Sequence, residues 1–203
     1  MKLYFLFLIM ASVTVSSPGP GVVMTLTNSL RYGMYGTFGG ILGLATGTLV
    51  MAVISATSLG ALLATSPQAF SIIQFFGVGY LVYLGIRLWR APSFKFKEVP
   101  AHEASFGKRY FEGLLLQLTN PSAIFFFFSV FPQFIDPELD YPMQFVSLAL
   151  TFSALIVIIH WFYAMFARRA KVWFTSESGG LVINRIAGTI FIFFGIVLAT
   201  AKI

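Results

Sequence analysis

Long apolar stretches without charged residues dominate the chain, and short polar or charged segments separate them. A helix needs about 20 apolar residues to cross the hydrocarbon core of a membrane. The apolar stretch over residues 32–86 is long enough for two such helices, and Thr65-Ser66-Pro67-Gln68 supplies a polar turn between them. The pattern therefore predicts six membrane-spanning helices, over residues 3–26, 36–64, 69–89, 112–134, 144–167 and 184–202.

The composition is typical of a membrane protein and excludes a soluble domain. Of 203 residues, 58% are hydrophobic and only 10% are charged, whereas a soluble domain carries about 25% charged residues. Because there is no cysteine and there are only two histidines, we expect no disulfide framework, no metal and no cofactor. The net charge of +6 lies in connectors between apolar stretches, which argues against a nucleic-acid partner.

The distribution of lysine and arginine predicts the orientation of the spans. Of the 13 cationic residues, 11 lie in the connectors that follow the first, third and fifth spans. Cytoplasmic connectors carry such an excess, so both termini are predicted outside and residues 91–111 form a basic cytoplasmic loop. Lys2 mildly opposes this, and a re-entrant first segment would place the N-terminus in the cytoplasm. The first ten residues also fit a signal peptide, although the apolar stretch continues past any cleavage site.

Two halves of three spans each, residues 1–90 and 112–203, are predicted to be related as an inverted repeat within a single transmembrane domain. Each half has a proline break inside its first span, Ser17-Pro18 in one half and Asn120-Pro121 in the other. The third spans end in the similar sequences Gly85-Ile86-Arg87-Leu88 and Gly195-Ile196-Val197-Leu198. The predicted fold class is an all-α integral membrane protein with proline-broken first and fourth helices.

The two proline breaks are the strongest indication of a binding site. Proline inside a helix removes a hydrogen bond, and Ser or Asn followed by Pro is a typical helix start. A helix start at membrane depth exposes backbone N–H groups and the positive end of a dipole, which suits a carboxylate. The substrate-binding candidates are Ser17, Pro18, Gly19, Pro20, Gly21, Gln117, Thr119, Asn120 and Pro121. The alternative is a pair of kinks repaired by neighbouring helices.

Three motifs lie in order along the chain. They are Ser17-Pro18-Gly19-Pro20-Gly21, the run from Gly77 to Gly85 with Trp89-Arg90, and Gln117-Leu118-Thr119-Asn120-Pro121-Ser122-Ala123 followed by residues 131–135. In these motifs the chain resembles the LysE/RhtB family of amino-acid exporters. The motifs follow the family's order over nearly the whole chain. The resemblance implies a multi-pass exporter of amino acids or related metabolites in the bacterial cytoplasmic (inner) membrane, driven by the proton gradient.

Two positions depart from the family's pattern. The family usually has Lys after the Asn-Pro of the fourth span, where this chain has Ser122, and often an acidic residue after a glycine in the second span, where Thr48 follows Gly47. Such charges would pair inside the membrane, so the loss of both leaves neither unpaired. Because no carboxylate is predicted deep in a span, we expect a neutral amino acid. An exporter of basic amino acids is the alternative.

His160 is the only ionisable residue predicted well inside a span. Ionisable residues within the membrane mark proton relays or substrate pathways, and histidine titrates near physiological pH. His160 is therefore a candidate for proton coupling, with a neutral histidine bonded across helices as the alternative.

Gly39, Gly43 and Gly47 recur every four residues on the second predicted span. Small residues at this spacing let helix backbones approach closely. We expect the stripe to pack against another helix of the same chain, and a homodimer interface is the alternative.

The predicted function is secondary export, with an amino-acid substrate, protons and membrane lipid as partners. A membrane-embedded enzyme would need a nucleophile with its base, or a metal site. The lack of a deep Asp or Glu, of cysteine and of a second buried histidine argues against this, so no enzymatic activity is expected. A non-transporting scaffold or accessory protein is the alternative from a different class.

Overall fold

A computed structural model of the protein describes residues 2–92, 105–136 and 139–201, so most of the basic loop predicted at 91–111 lies outside the described residues. The described residues form helices and connectors, without a strand. The helices are α1 (Lys2–Ser16), α2 (Pro20–Gly36), α3 (Phe38–Thr65), α4 (Pro67–Arg90), α5 (Phe106–Leu118), α6 (Pro121–Phe125), α7 (Tyr141–Met165), α8 (Ala167–Thr175) and α9 (Glu177–Ala201). A π-helix (Phe126–Val130) and a 3-10 helix (Phe131–Phe134) follow α6 directly.

Six membrane crossings result when each bent helix pair counts as one span. Four helices, α3, α4, α7 and α9, each contain a continuous apolar stretch long enough to cross. The other two crossings are α1 with α2, bent by 55°, and α5 with the segment Pro121–Phe134, bent by 53°. The predicted fold class, with broken first and fourth helices, is therefore confirmed.

The first crossing is longer than the predicted span of residues 3–26, because α2 continues to Gly36. Gly33 interrupts its last part with a φ of 75°, a conformation that glycine adopts without steric cost. The polar and basic residues that marked the end of the span in the sequence, from Asn28 to Arg31, are instead part of the helix.

The second break forms as the sequence predicts. Asn120 caps α6 by accepting a hydrogen bond from the Ser122 N–H at 3.1 Å, and Pro121 is the first helical residue. Proline suits this position because the N–H that it lacks would have no partner within the helix.

At the first break, the predicted helix start at Ser17-Pro18 is wrong. The new helix begins at Pro20, with Gly19 as its cap, and the Ser17 hydroxyl donates instead to the Val13 carbonyl oxygen. A residue before proline is disfavoured in the helical region. Because Pro18 and Pro20 each disfavour a helical conformation in the residue before them, both Ser17 and Gly19 lie outside the helices. The new helix therefore begins two residues later than predicted.

The basic ends of the helices lie together on one side of the bundle. The Arg109 guanidinium lies 5.0 Å from the Tyr32 ring centroid, which places the start of α5 beside the end of α2. Arg185 lies 5.4 Å from the Trp89 ring centroid and places the start of α9 beside the end of α4. We call this end of the bundle the basic side; the positive-inside rule predicts that it faces the cytoplasm.

Glycine contacts between α4 and α9 follow a two-fold relation. A Cβ atom on Gly85 would meet atoms of α9 at 2.7 to 2.9 Å, and a Cβ atom on Gly195 would meet atoms of α4 at 2.6 to 3.5 Å. Each contacting residue of α4 has an equivalent in α9 at the same distance along the sequence. Gly195 is the equivalent of Gly85, Gly188 of Val78, and Ile192 of Val82. The similar sequences at the ends of the third and sixth spans thus occupy equivalent places in one helix crossing.

The glycine stripe lies where α3 crosses α5. A Cβ atom on Gly43 would overlap the carbonyl oxygen of Tyr110, and one on Gly39 would lie 2.7 Å from the Phe106 carbonyl oxygen. At Gly47, the corresponding distance to the Gln117 Cβ is 2.7 Å. The stripe therefore brings two backbones of the same chain into contact, and it joins the first half to the second.

We expect Gly43→Ala to destabilise the protein by about 1–3 kcal/mol, because the methyl group must displace the backbone of α5. The matched control is Gly79→Ala in α4, where an added Cβ meets nothing within 4 Å. That control gains up to about 1 kcal/mol of helix propensity. Thermal unfolding in detergent measures both, and equal midpoints for the two variants would contradict the packing role of Gly43.

Candidate functional site

Both helix breaks border one small cavity, with a volume of about 150 Å³. The predicted site residues that line it are Ser17, Pro18, Gly19, Pro20, Gly21, Gln117, Asn120 and His160. Thr119 instead lines a separate groove, and Pro121 is exposed at the start of α6, outside the cavity lining. The structure thus places the two breaks, which lie about 100 residues apart in sequence, around the same space.

Four helix ends meet at the cavity: α1 and α5 end there, and α2 and α6 begin there. The first N–H groups of a helix and its last carbonyl groups have no partner within that helix. At the end of α1, the Tyr163 hydroxyl donates to the Ser16 carbonyl oxygen at 2.7 Å. This bond satisfies the last carbonyl group of α1, whereas the N–H groups of Gly21 and Val22 at the start of α2 have no partner within their helix.

His160 forms part of the cavity wall and is 4% exposed. Its Nδ1 lies 2.6 Å from the Thr25 Oγ1, and which of the two donates depends on the tautomer. A Cβ atom on Gly21 would lie 3.3 Å from the His160 Cε1, a tight contact that would push the imidazole away by a few tenths of an ångström. Gly21 and Thr25 are one helical turn apart and hold the imidazole against the start of α2.

The two positions that depart from the family's pattern are both in neutral hydrogen bonds beside the cavity. The Gln117 Nε2 donates to the Thr48 Oγ1 at 2.9 Å, and both side chains are buried. Ser122 is hydrogen-bonded to Tyr80, whose ring stacks on Phe125 with centroids 4.9 Å apart. Uncharged pairs therefore occupy the places where the resemblance implies a Lys and an acidic residue.

The cavity wall is mostly apolar with a few polar side chains, and it carries no fixed charge on the described residues. Among the described residues that line it, none is Asp, Glu, Lys or Arg. Its polar side chains are Thr14, Ser17, Tyr80, Gln117, Asn120, Ser122 and His160. Such a lining can donate and accept hydrogen bonds but offers no counter-ion to a charged side chain of a ligand.

Buried phenylalanines fill the bundle between the cavity and the side opposite the basic side. The Phe7 ring lies 5.5 Å from the Phe131 ring and 5.3 Å from the Phe134 ring, centroid to centroid. Phe127 and Phe152 continue this cluster to the cavity, where Phe152 is a lining residue. On this side the cavity is therefore closed by aromatic packing between α1, α7 and the segment after α6.

Several residues that build the site escape the sequence analysis. Thr25 and Thr48 are ordinary helix residues whose partners lie 135 and 69 positions away, so no local pattern reveals them. Tyr80 lies inside one of the family-like motifs, but its contact with Ser122 depends on how α4 packs against α6. For Thr25 there is one usable signal, its spacing of one turn from Gly21 on the same helix face.

Comparison with known proteins gives consistent similarities over the whole chain. The family model described as LysE type translocator matches residues 12–202. A membrane protein of Vibrio cholerae serotype O1 is 34% identical over 202 residues, which cover 100% of this chain and 98% of that protein. The homoserine/homoserine lactone efflux protein of Salmonella typhimurium is 32% identical over 199 residues, which cover 98% of this chain and 97% of that protein.

A more distant similarity extends to a membrane protein of Bacillus subtilis, which is 31% identical over 195 residues. The match covers 92% of this chain and 93% of that protein. No solved structure matches the chain. The three matches cover at least 92% of this chain and at least 93% of each of these proteins.

Removal of the Tyr163 hydroxyl should destabilise the first break. In Tyr163→Phe the Ser16 carbonyl loses its donor, and we expect a loss of about 1 kcal/mol of unfolding free energy. The control is Tyr83→Phe, because the Tyr83 side chain is exposed. Thermal unfolding in detergent compares the two variants, and a Tyr163→Phe midpoint equal to that of the control would argue against this role of the hydroxyl.

Proposed function

Because the chain belongs to the LysE family of translocators, we propose that it exports a small neutral amino acid or a related metabolite from the cytoplasm. It is a multi-pass protein of the bacterial inner membrane. The observation that carries the proposal is that both helix breaks border the same cavity. A cavity enclosed by two broken helices is the arrangement in which secondary transporters hold a substrate between two gates.

The carboxylate of the substrate binds at the start of α2. The N–H groups of the first turn after Pro20 have no partner within the helix, and Gly21 and Val22 line the cavity there. The helix dipole adds a positive potential at the same end, and backbone N–H groups hold anions well at such a terminus. Asn120 lies on the opposite wall and presents an amide to the same space.

The side chain of the substrate is uncharged. A lysine or arginine side chain in this cavity would be an unpaired cation away from bulk water, which is costly. The hydroxyl and amide groups of Tyr80, Gln117 and Ser122 suit a short polar side chain that carries a hydroxyl group. Homoserine, for which the Salmonella relative is named, has this chemistry.

Protons drive the export through His160. It is the only side chain among the described lining residues of the cavity that ordinarily changes charge near neutral pH. The titratable or polar groups that face it are Thr25 on α2, Tyr163 on its own helix at a ring distance of 6.1 Å, and Tyr80 across the cavity. A proton taken up at the imidazole would lower the affinity of the cavity for a cationic group and raise its affinity for an anionic group. Substrate binding is thereby linked to the protonation of His160.

A scaffold without transport activity is less well supported. A scaffold gains nothing from two interrupted helices, because each interruption removes backbone hydrogen bonds at membrane depth. The cavity between the breaks gives these interruptions a use only if a solute enters it.

Uptake of L-homoserine into inside-out membrane vesicles tests the proposal. We expect saturable uptake by the wild type, and a loss of roughly fivefold in Asn120→Ala, because the cap that fixes the start of α6 is removed, at a cost of about 1 kcal/mol. Pro121→Ala should reduce uptake as well, since α5 and α6 could then join into one continuous helix.

Membrane insertion of both variants should stay at the wild-type level, which quantitative blotting checks. Asp140→Asn is the matched control, because asparagine caps a helix as well as aspartate does, and Asp140 caps α7 away from the cavity. Normal uptake in both break variants would remove the helix breaks from the transport site.

His160→Ala should abolish the dependence of export on the pH gradient while leaving downhill exchange of substrate. Thr25→Val is the control, because it removes the hydroxyl group beside His160 but keeps the imidazole. Export rates are measured over a range of external pH with a fixed substrate gradient. An unchanged pH profile in His160→Ala would show that the proton acts elsewhere.

A further inference from the structure

An open groove lies on the other side of the first helix break. Its volume is about 890 Å³, and it runs between α2 and α5. The described residues that line it are Pro18, Gly19, Pro20, Val23, Met24, Glu112, Leu115, Leu116 and Thr119. Pro18, Gly19 and Pro20 also line the cavity, so this short segment is the wall between the groove and the cavity.

Glu112 is the one charged side chain among the described residues of this groove. It is exposed and has no ion-pair partner within the described part of the chain. The residue lies six positions before Leu118, the last residue of α5, which is about 9 Å along the helix. Glu112 follows Arg109 of the basic side by about one helical turn, so it lies between the basic side and the helix break.

An unpaired carboxylate at this depth is costly when lipid tails surround it. Water in the groove removes that cost, and a groove open to the basic side can admit water. The carboxylate thus indicates a hydrated recess that reaches from the basic side to the wall formed by Pro18, Gly19 and Pro20. The opposite side of the cavity is filled by buried phenylalanines such as Phe7 and Phe131, so the groove is the nearer approach from solvent.

We propose that this groove is the entrance for substrate on the cytoplasmic side, and that Glu112 binds the α-ammonium group of an amino acid before it crosses the wall into the cavity. The inference rests on the proposed export function and adds a second binding position to it. Charge complementarity selects the occupant, because a carboxylate attracts a cationic group and repels the anionic headgroups of lipid.

The two positions divide the recognition of a zwitterion between them. Glu112 meets the ammonium group in the groove, and the N-terminus of α2 meets the carboxylate in the cavity. Because Gly19 has no side chain and is flanked by two prolines, the wall between the positions is short and consists mainly of backbone and proline rings. Met24 of the groove and the buried Asn28 both pack against Gly40, so Asn28 lies beside the groove. The Asn28 Nδ2 has no hydrogen-bond partner among the described residues.

Cysteine labelling tests whether the groove holds water. The natural chain has no cysteine, so Leu115→Cys reacts only at the groove. The control is Ile158→Cys on α7, an exposed residue two positions before the cavity residue His160, as Leu115 lies two positions before the cavity residue Gln117. A membrane-impermeant sulfonated maleimide, added to inside-out vesicles, should label Leu115→Cys roughly tenfold faster, because the reactive thiolate forms in water. Equal slow labelling of both variants overturns the proposal.

Transport kinetics test the role of the carboxylate with L-homoserine as the probe. We expect Glu112→Gln to raise the KM for uptake into inside-out vesicles by roughly fivefold to tenfold, up to about 1.4 kcal/mol, with an unchanged maximal rate. Raising the salt concentration should raise the KM of the wild type but not that of Glu112→Gln, because salt screens the attraction. Asp140→Asn, which removes a carboxylate elsewhere, should retain the wild-type KM and its salt dependence.

The outcomes separate the two proposals. If the wild type shows saturable uptake while Glu112→Gln keeps its KM and salt dependence, the entrance is wrong and the export function stands. If the wild type shows no uptake of homoserine or of other amino acids, the export function fails and the entrance fails with it. Fast labelling of Leu115→Cys together with a raised KM in Glu112→Gln supports the entrance.

Discussion

Every backbone N–H and carbonyl group inside the hydrocarbon core must find a partner, and this constraint determines how the two helix breaks are built. Each break has a local solution: the Tyr163 hydroxyl binds the last carbonyl of α1, and the Asn120 side chain binds an N–H at the start of α6. The N–H groups of Gly21 and Val22, in the first turn of α2, have no partner within their helix, and both residues line the cavity. In the proposed function, the substrate binds to this part of the backbone, which the protein does not satisfy itself.

The chemistry of the cavity follows from neutral pairs. Thr48 with Gln117, and Ser122 with Tyr80, are satisfied by each other without any charge. A cavity of this kind exerts no strong pull on a net charge, so a ligand with equal and opposite charges of its own has the advantage over an ion. In the proposed function His160 is the exception, since a histidine can gain a charge by taking up a proton, and it lies beside Gly21 at the start of α2.

The helices and the existence of both breaks can be predicted from the sequence, but the contacts between helices mostly cannot. Charge-free stretches of sufficient length predict six crossings because the hydrocarbon core has one thickness, and Asn120-Pro121 predicts a helix start because cap and proline agree. The first break is misjudged because Ser17-Pro18 and Gly19-Pro20 compete, and local propensity does not rank them. In the run of four phenylalanines, Phe126 and Phe127 are buried and Phe125 is exposed. Which of these phenylalanines is buried depends on the π-helix over Phe126–Val130, and no sequence pattern predicts that π-helix.

The glycine contacts bear on which parts of the molecule can move. The closest backbone approaches join α3 to α5 through Gly43, and α4 to α9 through Gly85. Each of these pairs takes one helix from either half, so the halves are interleaved and cannot rock against each other as separate bodies without parting backbones in direct contact. The half-helices beside the breaks are freer, since α2 meets α5 only loosely across an open groove. In the proposed export, the moving unit is therefore smaller than the repeat, because short broken segments can tilt within a fixed frame of crossed helices.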